Sequence, residues 1–214
     1  MGEIYLVRHG QANSAATDEE SYDRLSDLGA EQAAWLGEYL RSFDAPFDRI
    51  LSGTLQRHQA TAAAMKFQPD ELDPRLNELD YFNLSKALED AHGVPQPDAN
   101  GFPSHVPLVM EAWHKAEIKG QETFAEFESR VASVLQEAQQ PGRRILCVTS
   151  GGVIGMVLRH LLALDPKRMA HILLPIFNTS VTRVAVRPEG AILAGFNCTP
   201  HLDPPDRQYA RTHY

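Results

Sequence analysis

The sequence predicts a three-layer α/β/α protein, in which helices flank both faces of a mostly parallel central sheet and one irregular insertion forms a lid. Short apolar runs alternate with amphipathic helical segments along most of the chain, the order that produces such a sheet. Residues 145–148 form a continuous apolar run, which is typical of a strand inside a parallel sheet. The 214 residues suffice for one sizeable domain, expected to span residues 1–214.

The first half of the chain contains two predicted strands, each followed by a helix. Residues 4–7 and 49–51 are short and apolar, as buried strands are. Ser26 is placed to cap the first helix, and an alanine-rich second helix is expected over residues 54–67. The apolar face of the first helix, expected in the core, comprises Leu28, Trp35, Leu36, Tyr39, Leu40 and Phe43.

Residues 70–120 interrupt this alternation with repeated helix-breaking residues. Prolines at positions 74, 95, 97, 103 and 107 predict an irregular segment with one or two short helices. Long loops in compact domains are often lids, so we expect the insertion at about 81–119 to cover a site. Within it, Trp113 and His114 either cover a bound molecule or anchor the lid.

The remainder of the chain returns to alternating helices and strands. An amphipathic helix over residues 124–138 precedes the strand at 145–148, and Gly151-Gly152 opens a further helix. Two more strands, near 181–187 and 191–196, flank a Pro-Glu-Gly hairpin turn.

The composition argues against several classes of partner. The net charge is −8 and the pI is about 5.6, which disfavours nucleic acid or an anionic membrane as the main partner. No apolar run reaches the length of a membrane span, and no signal peptide is expected. Cys147 and Cys198 lack metal-ligand spacing, so we expect reduced thiols in a cytoplasmic protein. The sequence leaves the oligomeric state open.

The first predicted strand ends in Arg8-His9-Gly10, residue types that suit a phosphate site. A guanidinium binds two phosphate oxygens at once, and a glycine lets backbone amides approach an anion. A neutral imidazole has a ring nitrogen that can attack phosphorus. Gln11, Asn13 and Ser14 follow closely and either line the pocket or belong to a solvated loop.

Later segments supply the other groups that a phosphate site needs. Arg57 lies in the first turns of the second helix, whose N-terminus already favours an anion. Glu78 is the candidate proton donor, with Asp80 as a competing acid. Ser150 and Gly151 follow a strand in a glycine-rich turn, where Ser150 either contacts phosphate or only caps the helix. Ligands of such sheets bind at the C-terminal ends of the strands, so we expect these groups in one crevice, with no metal and no cofactor.

Together these segments resemble the histidine phosphatase superfamily, also called the phosphoglycerate mutase-like family. The likeness spans nearly the whole chain in the family's order, apart from the insertion. The matching segments are residues 7–10, 25–26, 28–29, 52–61, 76–78, 120–130, 149–154 and 178–181.

The resemblance implies a role for each matched site residue. His9 would be the nucleophile that becomes phosphohistidine, and Arg8 and Arg57 would bind the phosphoryl oxygens. Glu78 would protonate the leaving alcohol and then activate water. The partner would be a phosphorylated small-molecule substrate, and no metal would be required.

Ser150 is the main departure from the family, whose members normally carry a second histidine there. That histidine helps to hold the phosphoryl group and to stabilise its charge during transfer. A serine donates one hydrogen bond without positive charge, and the loss of one well-placed donor costs about 10²–10³ in rate. Of the histidines that could compensate, His105 lies in the insertion and His160 on a later helix. His58 directly follows Arg57 and is expected to point elsewhere on its helix.

The sequence favours a metal-independent phosphomonoester hydrolase and leaves three alternatives. A phosphomutase of the same family would pass the phosphoryl group to a second hydroxyl. A regulatory module would keep the phosphate-binding pocket with little turnover, which the serine at position 150 would explain. A serine hydrolase with Ser150 as nucleophile is disfavoured, because Val148 replaces the first glycine of the Gly-x-Ser-x-Gly elbow.

Overall fold

The computed structural model describes residues 2–13, 16, 18–98 and 100–213, and a six-stranded sheet lies at its centre. The strands are β1 (Gly2–Arg8), β2 (Arg49–Ser52), β3 (Glu71–Leu72), β4 (Arg144–Thr149), β5 (Val181–Arg187) and β6 (Gly190–Cys198). Their order across the sheet is β3-β2-β4-β1-β5-β6. The first four strands are parallel, and β5 runs antiparallel to both β1 and β6. The mostly parallel sheet expected from the sequence is confirmed.

Helices connect these strands and cover both faces of the sheet. Those within the described ranges are α1 (Glu19–Tyr22), α2 (Asp27–Arg41), α3 (Gln56–Ala64), α4 (Tyr81–His92), α5 (Phe102–His114), α6 (Phe124–Ala138), α7 (Gly151–Leu162) and α8 (Pro166–Leu173). Short 3-10 turns occupy Pro74–Leu76, Pro200–Leu202 and Gln208–Ala210.

The two faces of the sheet bury different side chains, because successive residues of a strand point to opposite faces. In β1, Tyr5 and Val7 pack with residues of α2 and α3. Ile4 and Leu6 pack on the other side, in the larger cluster that contains the buried residues of helices α4 to α8. The result is the α/β/α layering that the sequence predicted.

Helix α2 begins as expected but buries a different face. Ser26 caps it, and the Ser26 hydroxyl accepts a hydrogen bond of 3.0 Å from the Gly29 N–H. Leu36 and Leu40 are buried as expected, whereas Trp35 and Tyr39 are only partly buried and Phe43 is 47% exposed. Three of the six buried positions are small residues, Gly29, Ala33 and Gly37. The expected face was therefore confirmed for Leu36 and Leu40, and it was wrong for the three aromatic rings. Small residues let the helix approach its neighbours closely, and this leaves the large rings at its margin.

The insertion contains two helices, within the one or two expected, but they are longer and the segment is less irregular than the prolines suggested. Its two helices, α4 and α5, have 12 and 13 residues. Pro103 lies in the first turn of α5, where a proline removes no intrahelical hydrogen bond, and only Pro107 interrupts the helix interior. Trp113 is 1% exposed and its indole N–H donates to the Glu122 carbonyl at 3.1 Å, so Trp113 anchors the insertion. The ring of its neighbour His114 packs on Phe124.

The remaining expectations concern cysteines and membrane spans. Cys147 is buried in β4, Cys198 is exposed at the end of β6, and both are free thiols. Within the described residues, no helix combines the length and the apolar character needed to cross a bilayer.

Close packing of α2 against the end of α3 predicts the effect of a glycine substitution. A Cβ at Gly37 would collide with the backbone of Met65, whereas a Cβ at Gly155 in α7 would meet side-chain atoms at 3.6 Å, an ordinary contact. Alanine favours a helix interior over glycine by about 0.5–1 kcal/mol at both positions. We expect Gly37→Ala to lower the free energy of unfolding by about 1–3 kcal/mol through overpacking. Gly155→Ala is the matched control, and equal stability of the two variants in urea unfolding would contradict this packing.

Candidate active site

The C-terminal ends of β1, β2 and β4 bring the predicted site residues to one edge of the sheet. Arg8 pairs with Thr149 across β1 and β4, and Ser52 of β2 pairs with Val148. The His9 N–H donates to the Thr149 carbonyl at 2.9 Å. The residues that follow β1 and β4 are therefore neighbours, as parallel strands require.

The His9 imidazole is buried, and its hydrogen bonding favours one tautomer. Its Nδ1 lies 2.7 Å from the Gly10 carbonyl oxygen, which can only accept, so Nδ1 carries the proton. Nε2 is then left with its lone pair, the state that a nucleophile needs. Burial above all, and then the positive charges of Arg57 and Arg8, hold the pKa of His9 well below its usual value of 6.5.

Arg8 and Arg57 place two guanidinium groups beside this imidazole. Arg8 donates from Nη1 to the Ile176 carbonyl oxygen. Arg57 is completely buried, and its Nη1 lies 3.2 Å from the Asp23 carboxylate. The Arg57 guanidinium also stacks over the Tyr22 ring, 4.9 Å from the ring centre.

Asp23 and Tyr22 are site residues that the sequence analysis missed. The two oxygens of Asp23 accept hydrogen bonds from the backbone N–H groups of Gln56 and Arg57, at the start of α3. One carboxylate therefore positions both the helix start and the arginine side chain. No sequence signal marked these residues, because they lie in a polar segment whose contacts with α3 are entirely tertiary.

Glu78 faces the N-terminus of α7. Its carboxylate oxygens accept from the Gly152 N–H at 3.0 and 3.1 Å, and one of them also accepts from the Leu79 N–H. A Cβ at residue 152 would collide with this carboxylate, so the close approach requires glycine there. The competing acid, Asp80, instead accepts from Asn83 and from the Gln121 N–H.

Ser150 occupies the N-cap position of α7 but does not cap the helix with its side chain. Its hydroxyl oxygen instead lies 2.6 Å from Nε2 of His58. Both side chains are completely buried. The His58 ring lies 5.7 Å from the His9 ring, centre to centre.

The expectation that His58 points away from the site was wrong. Two consecutive residues, Arg57 and His58, are fully buried because the first turn of α3 is enclosed by neighbouring segments. Gly53 makes this possible, since a Cβ there would collide with the His58 ring. Burial, and then the charge of Arg57, hold the pKa of His58 well below 6.5. The other candidates lie elsewhere: His105 contacts the Tyr81 hydroxyl, and His160 is exposed on α7.

The polar residues that follow His9 have different positions. Asn13 lines a cavity in front of Arg8 and Arg57, and its side-chain amide donates to the Ser21 carbonyl at 3.0 Å. Gln11 does not line it, and its side-chain oxygen accepts from the Ser26 hydroxyl at 2.8 Å. Ser14 lies outside the described residues.

A cavity of about 510 Å³ opens in front of these groups. Arg8, Arg57, Glu78 and Gly151 line its polar end. His9, His58 and Ser150 are not themselves lining residues, and each is adjacent in sequence to one of them. Helices α4 and α5 supply most of the opposite wall, with Phe82, Phe102 and Met110 among its side chains. The insertion therefore supplies one side of the cavity.

Among the residues with described positions, no cluster of three or more His, Cys, Asp or Glu side chains is arranged to hold a metal ion.

Comparisons with known proteins identify the family. Residues 4–199 match the profile of the histidine phosphatase superfamily (branch 1). A broad-specificity phosphatase of Saccharomyces cerevisiae is 28% identical over 191 residues, which are 85% of this chain and 78% of that protein. An adenosylcobalamin/alpha-ribazole phosphatase of Salmonella typhi is 28% identical over 176 residues, which are 78% of this chain and 83% of that protein.

A solved structure shares the fold. A phosphoserine phosphatase mutant of Entamoeba histolytica, in complex with phosphoserine, superimposes with a TM-score of 0.69 at 22% identity, over 94% of this chain and 100% of that chain. The chain belongs to the histidine phosphatase superfamily, as the sequence motifs indicated.

The buried histidines predict how stability depends on pH. The unfolded chain binds protons below about pH 6.5 that the folded His9 and His58 exclude, so stability is full above that pH and falls below it. Each histidine contributes up to about 1.4 kcal/mol per pH unit. In urea unfolding between about pH 7.5 and pH 5.5, His9→Gln should show a smaller loss than the unsubstituted protein. His171→Gln, at an exposed position on α8, is the control, and identical pH slopes for the two variants would contradict the burial of a neutral His9.

Proposed function

We propose that this protein is a metal-independent phosphomonoester hydrolase that acts through a phosphohistidine intermediate on a small phosphorylated substrate. One observation carries the proposal: the buried His9 imidazole lies next to the two guanidinium groups that line the polar end of a cavity. Burial and the charges of Arg57 and Arg8 hold its pKa well below the usual value, which favours the neutral ring. A phosphate dianion repels a nucleophile unless its charge is neutralised, and the two cations supply that neutralisation. The phosphatase names of the relatives in yeast and Salmonella typhi support the same reaction class.

In this mechanism Arg8 and Arg57 bind the phosphoryl oxygens, and Nε2 of His9 attacks phosphorus. The P–O bond to the leaving alcohol breaks as the P–N bond forms, and Glu78 donates a proton to the departing oxygen. Glu78 then takes a proton from water, which attacks phosphorus and releases His9 with inorganic phosphate. Gly151 and Asn13 complete the polar lining.

The position of Glu78 at the start of α7 supports its part in both steps. It lines the same cavity end as the two arginines, so a leaving oxygen of a bound phosphoryl group has this carboxyl within the same enclosure. Its three hydrogen bonds from backbone N–H groups of Gly152 and Leu79 hold the carboxyl in one orientation. Because the Glu78 carboxyl is already oriented, less entropy is lost when it transfers its proton.

The primary test is phosphate release from a panel of phosphomonoesters in the presence of a metal chelator, with His9→Ala as the control. We expect release by the unsubstituted protein, none above background by the variant, and a phosphoryl group on the His9 peptide after an alkaline quench. Binding without release would indicate the regulatory module, and transfer to a second hydroxyl of the substrate would indicate a phosphomutase. Labelling of Ser150 by a fluorophosphonate would indicate a serine hydrolase.

Glu78 should matter most for substrates whose alcohol leaves poorly. We expect Glu78→Gln to lower kcat by about 10²–10⁴ for alkyl phosphates and far less for p-nitrophenyl phosphate, whose leaving group needs no proton. Asp80→Asn removes the neighbouring carboxylate that faces Asn83 and serves as the matched control. Equal losses on both substrates in steady-state kinetics would remove Glu78 from the role of acid.

A further inference from the structure

Ser150 and His58 form a buried polar pair at the start of α7. Two completely buried polar side chains meet at 2.6 Å, although the serine stands at an N-cap position that its hydroxyl does not serve. Burial of polar groups costs free energy unless they are hydrogen-bonded, and the local fold offers Ser150 a capping bond that it does not make. The arrangement therefore suggests a function for the pair.

The surroundings of His58 determine where the protons of the pair lie. Its Nδ1 is buried without a hydrogen-bond partner among the described residues. Orphaned N–H groups are rarer in proteins than orphaned acceptors, so the neutral ring carries its proton on Nε2. Nε2 then donates to the Ser150 oxygen, and the hydroxyl proton of Ser150 remains available for a second acceptor.

The position of Ser150 suggests that acceptor. The next residue, Gly151, lines the polar end of the cavity, and Gly152 binds the Glu78 carboxylate. The preceding residue, Thr149, accepts from the His9 backbone. A phosphoryl group held between Arg8 and Arg57 would therefore lie next to the Ser150 hydroxyl.

We propose that the Ser150 hydroxyl donates to a phosphoryl oxygen and that His58, reaching the site from α3, orients and polarises this hydroxyl. This inference rests on the proposed function. Ser150 and His58 together would replace the second histidine that the resemblance places at position 150, with the imidazole moved to another helix. In this scheme Ser150 contacts the phosphoryl group most strongly during its transfer, and His58 is a positioning residue that acts through Ser150.

A double-mutant cycle tests the pair. Ser150→Ala and His58→Ala should each lower kcat, by about 10²–10³ for the serine variant, with little change in KM. The double variant should be no slower than the slower single variant. Either substitution alone already breaks the same chain of hydrogen bonds, which runs from His58 through Ser150 to the phosphoryl oxygen. His58→Gln retains an N–H donor near the same position and should recover much of the rate lost in His58→Ala.

A second buried histidine provides the matched control. His201 is 3% exposed and its Nε2 lies 2.9 Å from the Thr179 hydroxyl, but neither residue lines the cavity. His201→Ala should affect stability without a comparable loss of kcat. Three results would overturn the proposal. The kcat of the double variant could fall by the product of the two single losses, kcat could be unchanged in Ser150→Ala, or His58→Gln could recover none of the kcat lost in His58→Ala.

The same samples separate this proposal from the hydrolase mechanism. If the unsubstituted protein forms phosphohistidine and releases phosphate while Ser150→Ala does so at the same rate, only the Ser150–His58 pair is excluded. If the unsubstituted protein forms no phosphohistidine, the proposed function itself fails.

The apolar part of the cavity lining carries a second inference from a different observation, its chemistry. It consists largely of side chains from α4, α5 and the end of α8, among them Phe82, Phe102, Met110, Leu173 and Leu174. Among the described lining residues, Arg8 and Arg57 are the cationic side chains, and both belong to the polar end. The other charged lining residue away from that end is Asp98, an anion.

We infer that the alcohol part of the substrate is apolar or aromatic and carries no second anionic group, an inference that also rests on the proposed function. An apolar group gains free energy when it leaves water for this wall, whereas a carboxylate or second phosphate would lose hydration without meeting a cation. The volume of about 510 Å³ is in the usual range for small-molecule sites.

Two alkyl phosphates of similar leaving-group reactivity test this specificity. We expect kcat/KM for 2-phenylethyl phosphate to exceed that for 3-phosphoglycerate by at least about tenfold. Gln96→Lys adds a cation to the cavity lining and should shift the ratio toward 3-phosphoglycerate, whereas Gln136→Lys, exposed on α6, should not. Preference for 3-phosphoglycerate by the unsubstituted protein would overturn the inference, while hydrolysis of both esters would leave the proposed function intact.

Discussion

The electrostatic balance around His9 is the constraint on which the rest of the site depends. An imidazole can attack phosphorus only while Nε2 is unprotonated, and a phosphate dianion can approach it only if cations offset the negative charge. Arg8 and Arg57 meet both needs, because the same positive charges that attract phosphate lower the pKa of His9. Burial contributes even more to this lowering, so the surrounding packing is part of the chemistry.

The sheet and its flanking helices maintain this balance. His9 is held by its backbone hydrogen bond to Thr149 and by the Gly10 carbonyl. Arg57 is held by Asp23, which also binds the first N–H groups of α3. These anchors belong to different segments of the chain, so the site forms only when the C-terminal edge of the sheet is assembled.

The insertion gives the site its second property, an apolar wall opposite the charged end. Helices α4 and α5 are secured to the body by buried residues such as Leu84, Val109 and Trp113. Their cavity-facing side chains are therefore held in position by a packed core, as rigid binding walls require. Prolines obscured these helices in the sequence, because a proline in the first turn is compatible with a helix and the apolar spacing is recognisable only once the partner surface is known.

Local sequence signals were sufficient to predict much of the fold and part of the candidate site. The sequence by itself determined the parallel sheet, through its short apolar runs, and the anion-binding ends of the strands, through Arg8-His9-Gly10 and the glycine-rich turn after Val148. Only the tertiary structure decided that His58 meets Ser150 and that Asp23 and Tyr22 bind Arg57. It also decided that the aromatic rings of α2 lie at the margin of the buried face and not within it. The physical reason is that residue type and spacing encode which groups a segment carries and how it is wound. The direction in which a side chain finally points depends on packing between segments far apart in the chain.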